Sequence, residues 1–178
     1  MTGKRCCIIY NQPGENALAD ELDVLEQVEY VEIHLHQMGI ETYRKGITTA
    51  FMEELPVLTT EKPDIIFNLV ESINNKGELL YFVPAVLNMY SLPYTGNPLE
   101  AMFITTSKEL TYKFLVSAGL STPKSFLPSQ HLKMTSGKKY IIKPIWEDGS
   151  LDITSESVFT YGKVWAEKLT EYKDTHWI

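Results

Sequence analysis

The sequence has few cysteines, a deficit of positive charge and no long apolar run. Its 2 cysteines, Cys6 and Cys7, are adjacent in an apolar segment, so they fit packed thiols in a reducing compartment better than a disulfide. With 16 basic against 23 acidic residues, the chain lacks the basic stripe that nucleic-acid binding needs. No apolar run approaches the roughly 20 residues of a membrane span, and the start lacks the apolar stretch of a signal peptide. We therefore expect a cytoplasmic protein without nucleic-acid or membrane partners.

The first half of the chain alternates between strand and helix patterns. Short apolar runs predict strands at 5–10, 40–44 and 64–68, with a brief fourth strand at 94–96. Helices are predicted at about 18–38 and, more weakly, at 49–58 and 78–89. The first helix carries apolar residues at helical spacing, which predicts one buried face: Leu22, Leu25, Val28, Val31, Leu35 and Met38. This alternation predicts a mainly parallel sheet that binds ligands beyond the carboxyl ends of its strands, at 11–15 and 68–77.

A second domain is expected after the turn Gly96-Asn97-Pro98, which gives domains at 1–97 and 98–178. Thr106 and Glu109 have the spacing of a capping box, which predicts a helix that ends at Gly119. Strands are predicted at 125–127, 140–143 and 157–159, and a helix at 161–172 with Val164, Trp165 and Leu169 inward. The last residues, 176–178, have the pattern of another strand. Four such strands cannot cover themselves, so a further C-terminal segment is expected.

One lysine stands at the end of an apolar strand and directly before a polar loop, in the run Tyr140-Ile-Ile-Lys-Pro-Ile-Trp-Glu-Asp-Gly-Ser150. The ammonium of Lys143 can hold a phosphate as a point charge, and Gly149-Ser150 lets backbone N–H groups approach an anion. The run matches neither G-x-x-x-x-G-K-[ST] nor G-x-G-x-x-G. A strand-terminal lysine before a polar turn is by itself more often a solvated edge. A phosphate site therefore needs support from other segments.

That support comes from three further segments in a fixed order, which are Ile65-Ile-Phe-Asn-Leu-Val-Glu71 with Gly77-Glu78, Leu92-Pro-Tyr-Thr-Gly96, and Ser107-Lys108 through Gly119-Leu-Ser-Thr-Pro123. With Ile142-Lys143-Pro144 behind them, the chain resembles the D-alanine-D-alanine ligase branch of the ATP-grasp superfamily over nearly its whole length. The resemblance implies an α/β fold. A Rossmann-like (pre-ATP-grasp) parallel-sheet domain would precede a small α+β ATP-grasp lobe, with the large C-terminal lobe missing.

The resemblance also implies a reaction in which ATP phosphorylates a carboxylate and an amine then displaces phosphate from the acylphosphate. Such chemistry needs cations and N–H donors around the transferred group. The matching positions fall into two sets. The candidate catalytic residues are Glu15 and Ser150, and the candidate ATP-binding residues are Lys108, Lys143, Glu147, Gly149 and Ser150. Mg²⁺ is implied as well, with its ligands expected in the missing lobe and none in this chain.

The expected partners are ATP and a small amino-acid or peptide substrate, and a homodimer is open because similar ligases often dimerise. The chain alone is expected to be inactive. Three departures from the family pattern keep an alternative open: the loop has a single serine, Asp152 stands where glycine is usual, and no serine closely follows Glu15. The alternative is a non-catalytic nucleotide- or ligand-binding protein on a degenerate ligase scaffold. A flavodoxin-like module would explain only the first 96 residues.

Overall fold

The structure of the protein, a computed structural model, describes residues 3–14 and 19–178, and in the second range the side chains from residue 22 onward. Its residues group into two compact units, Met1–Met102 and Phe103–Ile178. The chain passes from one unit to the other within a helix, α5 (Leu99–Thr106). The domain boundary that the sequence suggests after Asn97 stays a prediction.

The first unit is built on a three-stranded parallel sheet in the order β2-β1-β3. Its elements, in chain order, are β1 (Arg5–Asn11), α1 (Ala19–Gln37), β2 (Glu41–Ile47), α2 (Phe51–Glu54), α3 (Leu58–Glu61), β3 (Ile65–Leu69), a 3₁₀ turn (Gly77–Leu79) and α4 (Phe82–Met89). Cys7 of β1 lies opposite Tyr43 of β2 and Ile66 of β3. The predicted α/β fold with a parallel sheet is therefore confirmed.

The central strand β1 is buried on both faces, as its apolar run predicts. Cys6, Cys7, Ile8 and Ile9 have no exposed surface. Cys6 and Ile8 pack against Val28 of α1 on one face. On the other face, Cys7 and Ile9 join a larger core formed by the helices after β2 and β3: Phe51, Leu55, Leu58, Val83, Val86 and Leu87. Parallel strands that need a crossover helix on each face give this near-continuous apolar pattern.

The buried face of α1 is narrower than predicted. Val24 and Val28 are buried, and Val31 and Leu35 are partly buried against the sheet. These four residues repeat at intervals of three and four, and so form one stripe along the helix. The remaining members of the predicted face lie off this stripe or beyond the helix end and are exposed: Leu22, Leu25 and Met38. That part of the prediction is wrong.

Three other predictions in the first unit are wrong in part. The helix predicted at 49–58 is two short helices, because Pro56 lies between α2 and α3 and has no N–H to donate within a helix. The strand predicted at 94–96 is a single parallel bridge between Tyr94 and Ile66. The helix predicted at 78–89 starts only at Phe82, after the 3₁₀ turn.

The second unit is a small α+β arrangement around an antiparallel pair of strands. Its elements are α6 (Lys108–Ser117), β4 (Lys139–Ile141), β5 (Val158–Thr160) and α7 (Lys163–Lys168), with 3₁₀ turns at Pro128–Lys133, Ser155–Ser157 and Leu169–Glu171. Tyr140 of β4 lies opposite Phe159 of β5. The core consists of Ile142, Phe159, Tyr161 and Leu169 under several partly buried aromatic rings. Trp177 forms an antiparallel bridge with Pro144, so the strand pattern at 176–178 is confirmed as a short pairing.

Three predictions for the second unit are wrong. Ser107, and not Thr106, caps α6, since its hydroxyl accepts a hydrogen bond from the N–H of Leu110 at 3.3 Å while Thr106 ends α5. Within the described part of the chain, residues 125–127 form no strand. Val164, predicted to face inward, is 75% exposed, whereas Leu169 is buried as predicted. Trp165 packs against the core and lies four residues before Leu169 on the same helix face, whereas Val164 lies about 100° around the helix from Trp165.

Within the described ranges, no helix has both the length and the apolar character needed to cross a membrane.

The burial of β1 predicts two unreactive thiols. Burial raises the pKa of both cysteines, that of Cys7 to about 12. Since only the thiolate is nucleophilic, a rise of this size lowers the reactive fraction of Cys7 by about 10³-fold at neutral pH. We expect a thiol reagent to label the native protein only as fast as it unfolds, and to label both cysteines at once in urea. Rapid labelling of the native protein would contradict a buried central strand.

Candidate functional site

The backbone at 142–145 is held by neighbours on two sides. The N–H of Ile142 donates to the carbonyl of Ser157 at 2.9 Å. The N–H and carbonyl of Lys143 pair with the carbonyl and N–H of Ile178, both at 2.9 Å, and the N–H of Ile145 donates to the carbonyl of His176 at 2.8 Å. Ile142 and Ile145 are buried. Lys143 therefore extends from a fixed piece of backbone, which limits the positions its ammonium can reach.

The start of α6 is attached to the same backbone. The N–H of Lys108, the first residue of the helix, donates to the carbonyl of Ile145 at 3.1 Å. The ammonium of Lys108 donates to the backbone carbonyl of Glu147 and lies 3.5 Å from a carboxylate oxygen of Asp148. Two lysines separated by 35 positions in the numbering, 108 and 143, are thus fixed to one short segment.

The loop that follows has an unusual backbone. Gly149, Ser150 and Asp152 have φ angles of +61°, +66° and +57°, in the left-handed region that residues other than glycine rarely adopt. The N–H of Leu151 donates to the carbonyl of Asp148, and that of Ile153 to the carbonyl of Ser150, so two tight turns follow one another. Two successive left-handed residues at the centre of a turn are typical of type I′ geometry.

A cavity of about 460 Å³ in the second unit contains both lysines. Its wall is mainly apolar and aromatic: Tyr112, Leu115, Phe126, Leu127, Met134, Tyr140, Ile142 and Phe159. The described residues contribute three lysines to this wall, Lys108, Lys124 and Lys143, and no aspartate or glutamate. An all-cationic set in a chain of net charge −7 is a local concentration of positive potential. The cavity can therefore hold a ligand with an apolar planar part and an anionic part.

The structure brings together some of the predicted site residues. Lys108 and Lys143 line the one cavity. Glu147 meets Lys108 through its backbone carbonyl, not through its carboxylate. Gly149 and Ser150 are exposed on the adjoining loop and are not among the described residues that line the cavity. Glu15 lies outside the described residues.

Sequence reasoning missed two residues of this region. Lys124 lines the cavity beside the other lysines. It directly follows the Ser-Thr-Pro123 motif, which was the available signal. Asp148 forms an ion pair with Lys108, and these two residues are too distant in the sequence for a pattern to indicate the pair.

At the carboxyl ends of the strands in the first unit, Asn11 binds the segment after β3. Its side-chain oxygen accepts hydrogen bonds from the N–H groups of Glu71 at 2.8 Å and Ser72 at 3.3 Å, and its amide nitrogen donates to the carbonyl of Ser72 at 2.7 Å. The strand order reverses between β1 and β3, and ligands of open α/β sheets bind at such a point. Asn11 thus fixes the loop on one side of the predicted ligand position.

Replacing Asn11 by alanine removes all three of these bonds and leaves the backbone groups at 71 and 72 to water. We expect the free energy of unfolding to fall by about 1–3 kcal/mol. Hydrogen exchange at the amides of Glu71 and Ser72 should accelerate more than exchange elsewhere in the sheet. Asn97→Ala, at an exposed position, is the control. Equal losses in the free energy of unfolding from the two substitutions would show that Asn11 does not hold the loop.

Among the described residues, no group of three or more histidine, cysteine, aspartate or glutamate side chains is arranged to hold a metal ion.

No family model matches the chain, but several of the curated proteins that it resembles are D-alanine-D-alanine ligases. It is 34% identical over 91 residues to the D-alanine-D-alanine ligase of Moorella thermoacetica, covering 51% of this chain and 28% of that protein. It is 26% identical over 124 residues to the D-alanine-D-alanine ligase of Aquifex aeolicus, covering 67% of this chain and 40% of that protein. The chain thus spans well under half the length of these relatives.

Solved structures extend the likeness to nearly the whole chain. A crystal structure of D-alanine-D-alanine ligase from Bacillus anthracis matches with a TM-score of 0.64 at 15% identity, covering 98% of this chain and 55% of that one. A structure of the Bacillus anthracis ligase complexed with ATP matches with a TM-score of 0.60 at 15% identity, covering 96% and 53%. At this level of identity, the likeness shows a shared fold.

Proposed function

We propose that this chain forms the nucleotide-binding part of an ATP-dependent carboxylate-amine ligase similar to the D-alanine-D-alanine ligases. The observation that carries the proposal is the apolar cavity with three lysines and no acidic residue among its described lining. The similarity to these ligases supports it, including the match to an ATP complex. In this proposal, residues 1–97 form a Rossmann-like pre-ATP-grasp domain and residues 98–178 form the small ATP-grasp lobe.

The cavity offers separate positions for two parts of ATP, the adenine ring and the triphosphate. An adenine ring would occupy the apolar wall around Tyr112 and Ile142, where burial of its faces is favourable. The triphosphate would lie at the lysines, whose charges stabilise the negative charge on the transferred phosphoryl group. The backbone around 142–145 fixes the origin of both lysine side chains, which limits where their ammonium groups can lie. Lys124 would add a third cation from the segment between α6 and β4.

The remaining assignments are also proposals. Ser150 and the backbone of Gly149 would cover the phosphates from the loop, and Glu15 would bind the ammonium of a small amino-acid or peptide substrate. Bound Mg²⁺ would neutralise negative charge on the phosphates, but the described residues contain no group of three or more histidine, cysteine, aspartate or glutamate side chains arranged to hold it. A homodimer and a cytoplasmic location complete the proposal.

A second candidate function is nucleotide binding without turnover. The favouring observation is that the ammonium of Lys108 is already engaged by the loop, through the Glu147 carbonyl and the Asp148 carboxylate. When the loop already binds Lys108, this lysine is less available to a transferred phosphoryl group. That arrangement fits a binding protein better than an open catalytic site. The two candidates differ in one measurement, which is amino-acid-dependent release of ADP by a protein that carries this chain.

The first test is ATP binding by this chain, measured by isothermal titration calorimetry. Lys143→Ala should weaken ATP binding by about tenfold or more, since a hydrogen bond to a charged group contributes about 1.5–3 kcal/mol. Lys139→Ala is the control, because Lys139 is exposed at the start of β4 and lies outside the cavity wall. Equal affinities for both variants and the unchanged chain would remove Lys143 from the site.

The second test concerns turnover. We expect this chain alone to release no ADP from ATP in the presence of D-alanine or other amino acids, because it spans only 28% to 40% of the ligases that it matches. Weak ATP binding should still be measurable in the same sample. Amino-acid-dependent ADP release by the chain alone would show that the catalytic groups all lie within these 178 residues.

A further inference from the structure

We propose that Asp148 is an internal competitor for the phosphate of the bound nucleotide, and that it sets the affinity of the site through Lys108. In the free protein, the ammonium of Lys108 is bound by the Asp148 carboxylate and the Glu147 carbonyl, so a phosphate that approaches this ammonium competes with the carboxylate for its charge. This inference rests on the proposed function, because it concerns the same cavity. It assigns a role to a residue that neither the sequence pattern nor the comparisons single out.

The contacts of the three cavity lysines differ. Lys108 Nζ lies 3.5 Å from Asp148 Oδ1 and also donates to the carbonyl of Glu147. By contrast, no described residue forms an ion pair or hydrogen bond with the ammonium of Lys124 or Lys143. Of these three lysines, then, Lys108 is the one whose charge a described residue partly neutralises.

The exposure of the two partners makes the exchange feasible. The side chain of Asp148 is 83% exposed, whereas that of Lys108 is 28% exposed. An exposed carboxylate loses little by returning to water, and an exposed ion pair contributes little to stability. A nucleotide phosphate carries more negative charge than one carboxylate and can contact more than one lysine of the cavity. The phosphate should therefore displace Asp148, at a small cost in affinity.

The exchange also affects the loop. Glu147 and Asp148 directly precede Gly149 and Ser150, the two left-handed residues. While Lys108 holds 147–148, the start of the loop is attached to the first turn of α6. Loss of the Asp148 contact leaves the Glu147 carbonyl as the remaining attachment, so the turn at 148–151 becomes free to move toward the phosphates. Phosphate binding and loop movement are coupled by one ammonium group.

The test compares two substitutions that remove the same charge from the same loop. ATP affinity is measured by calorimetry for the unchanged chain, Asp148→Asn and Asp152→Asn. Asp152 has no ion pair among the described residues, so its substitution reports the general effect of one carboxylate fewer. We expect Asp148→Asn to raise ATP affinity by about two- to fivefold beyond Asp152→Asn, the range that an exposed ion pair allows.

The dependence on Lys108 is tested by repeating both substitutions in a Lys108→Ala background. There the advantage of Asp148→Asn over Asp152→Asn should vanish. Lys113→Ala is the matched background control, since Lys113 lies on the same helix and pairs with Glu109 at 2.6 Å instead. In that background the advantage should persist.

The outcomes separate this inference from the proposed function. If the chain binds ATP and the two asparagine variants have equal affinities, the competitor role of Asp148 is overturned while the nucleotide site stands. If an advantage of Asp148→Asn persists without Lys108, the role is overturned as well. If neither the unchanged chain nor Asp148→Asn binds ATP, both the function and the inference fail. Binding by Asp148→Asn alone would support both.

Discussion

The backbone at 142–145 is the constraint on which the candidate site depends. Its hydrogen bonds to Ser157, His176 and Ile178 fix the origin of Lys143, and the carbonyl of Ile145 accepts the first N–H of α6. A short stretch of extended chain thereby positions two cations that come from different elements, and it starts the loop that follows. A displacement of this stretch would move both lysines and the start of the loop together. The parts of the site are therefore coupled through one backbone segment, although they are far apart in the sequence.

The fold was predictable where the pattern of apolar residues shows which faces of an element are buried. The apolar run of β1 fits a strand covered on both faces, and the alternation with helices indicates a parallel sheet, as the structure has it. The errors lie where tertiary contacts choose among equivalent patterns. Leu25 of α1 lies three residues before Val28, at helical spacing, yet it is exposed, because only a narrow stripe of the helix packs against the sheet. Val164 is exposed because it lies about 100° around α7 from Trp165, which packs against the core, and the periodicity of so short a helix allows either residue to face inward.

The motifs in the sequence pointed to two lysines of the candidate site, but they gave no information on which residues contact one another there. Lys108 and Lys143 were identified by the order of the motifs, and the structure adds that they line one cavity. Lys124 contributes to the same wall from a segment without regular structure, so no periodicity marked it. The pair between Lys108 and Asp148 joins a helix start to a distant loop. A single sequence carries no information on such a pair, because many carboxylates could serve equally well.

The left-handed backbone of the loop has a consequence for how such proteins are recognised. Only one of its three left-handed positions is glycine, and Ser150 and Asp152 occupy the others. No atom lies within 4 Å of where a side chain at Gly149 would begin, so backbone conformation alone selects the residue there. Aspartate and asparagine tolerate this conformation better than most residues. The backbone shape of this loop can therefore persist while its glycines are replaced, and a comparison of structures would detect such a loop where a search for a glycine pattern would not.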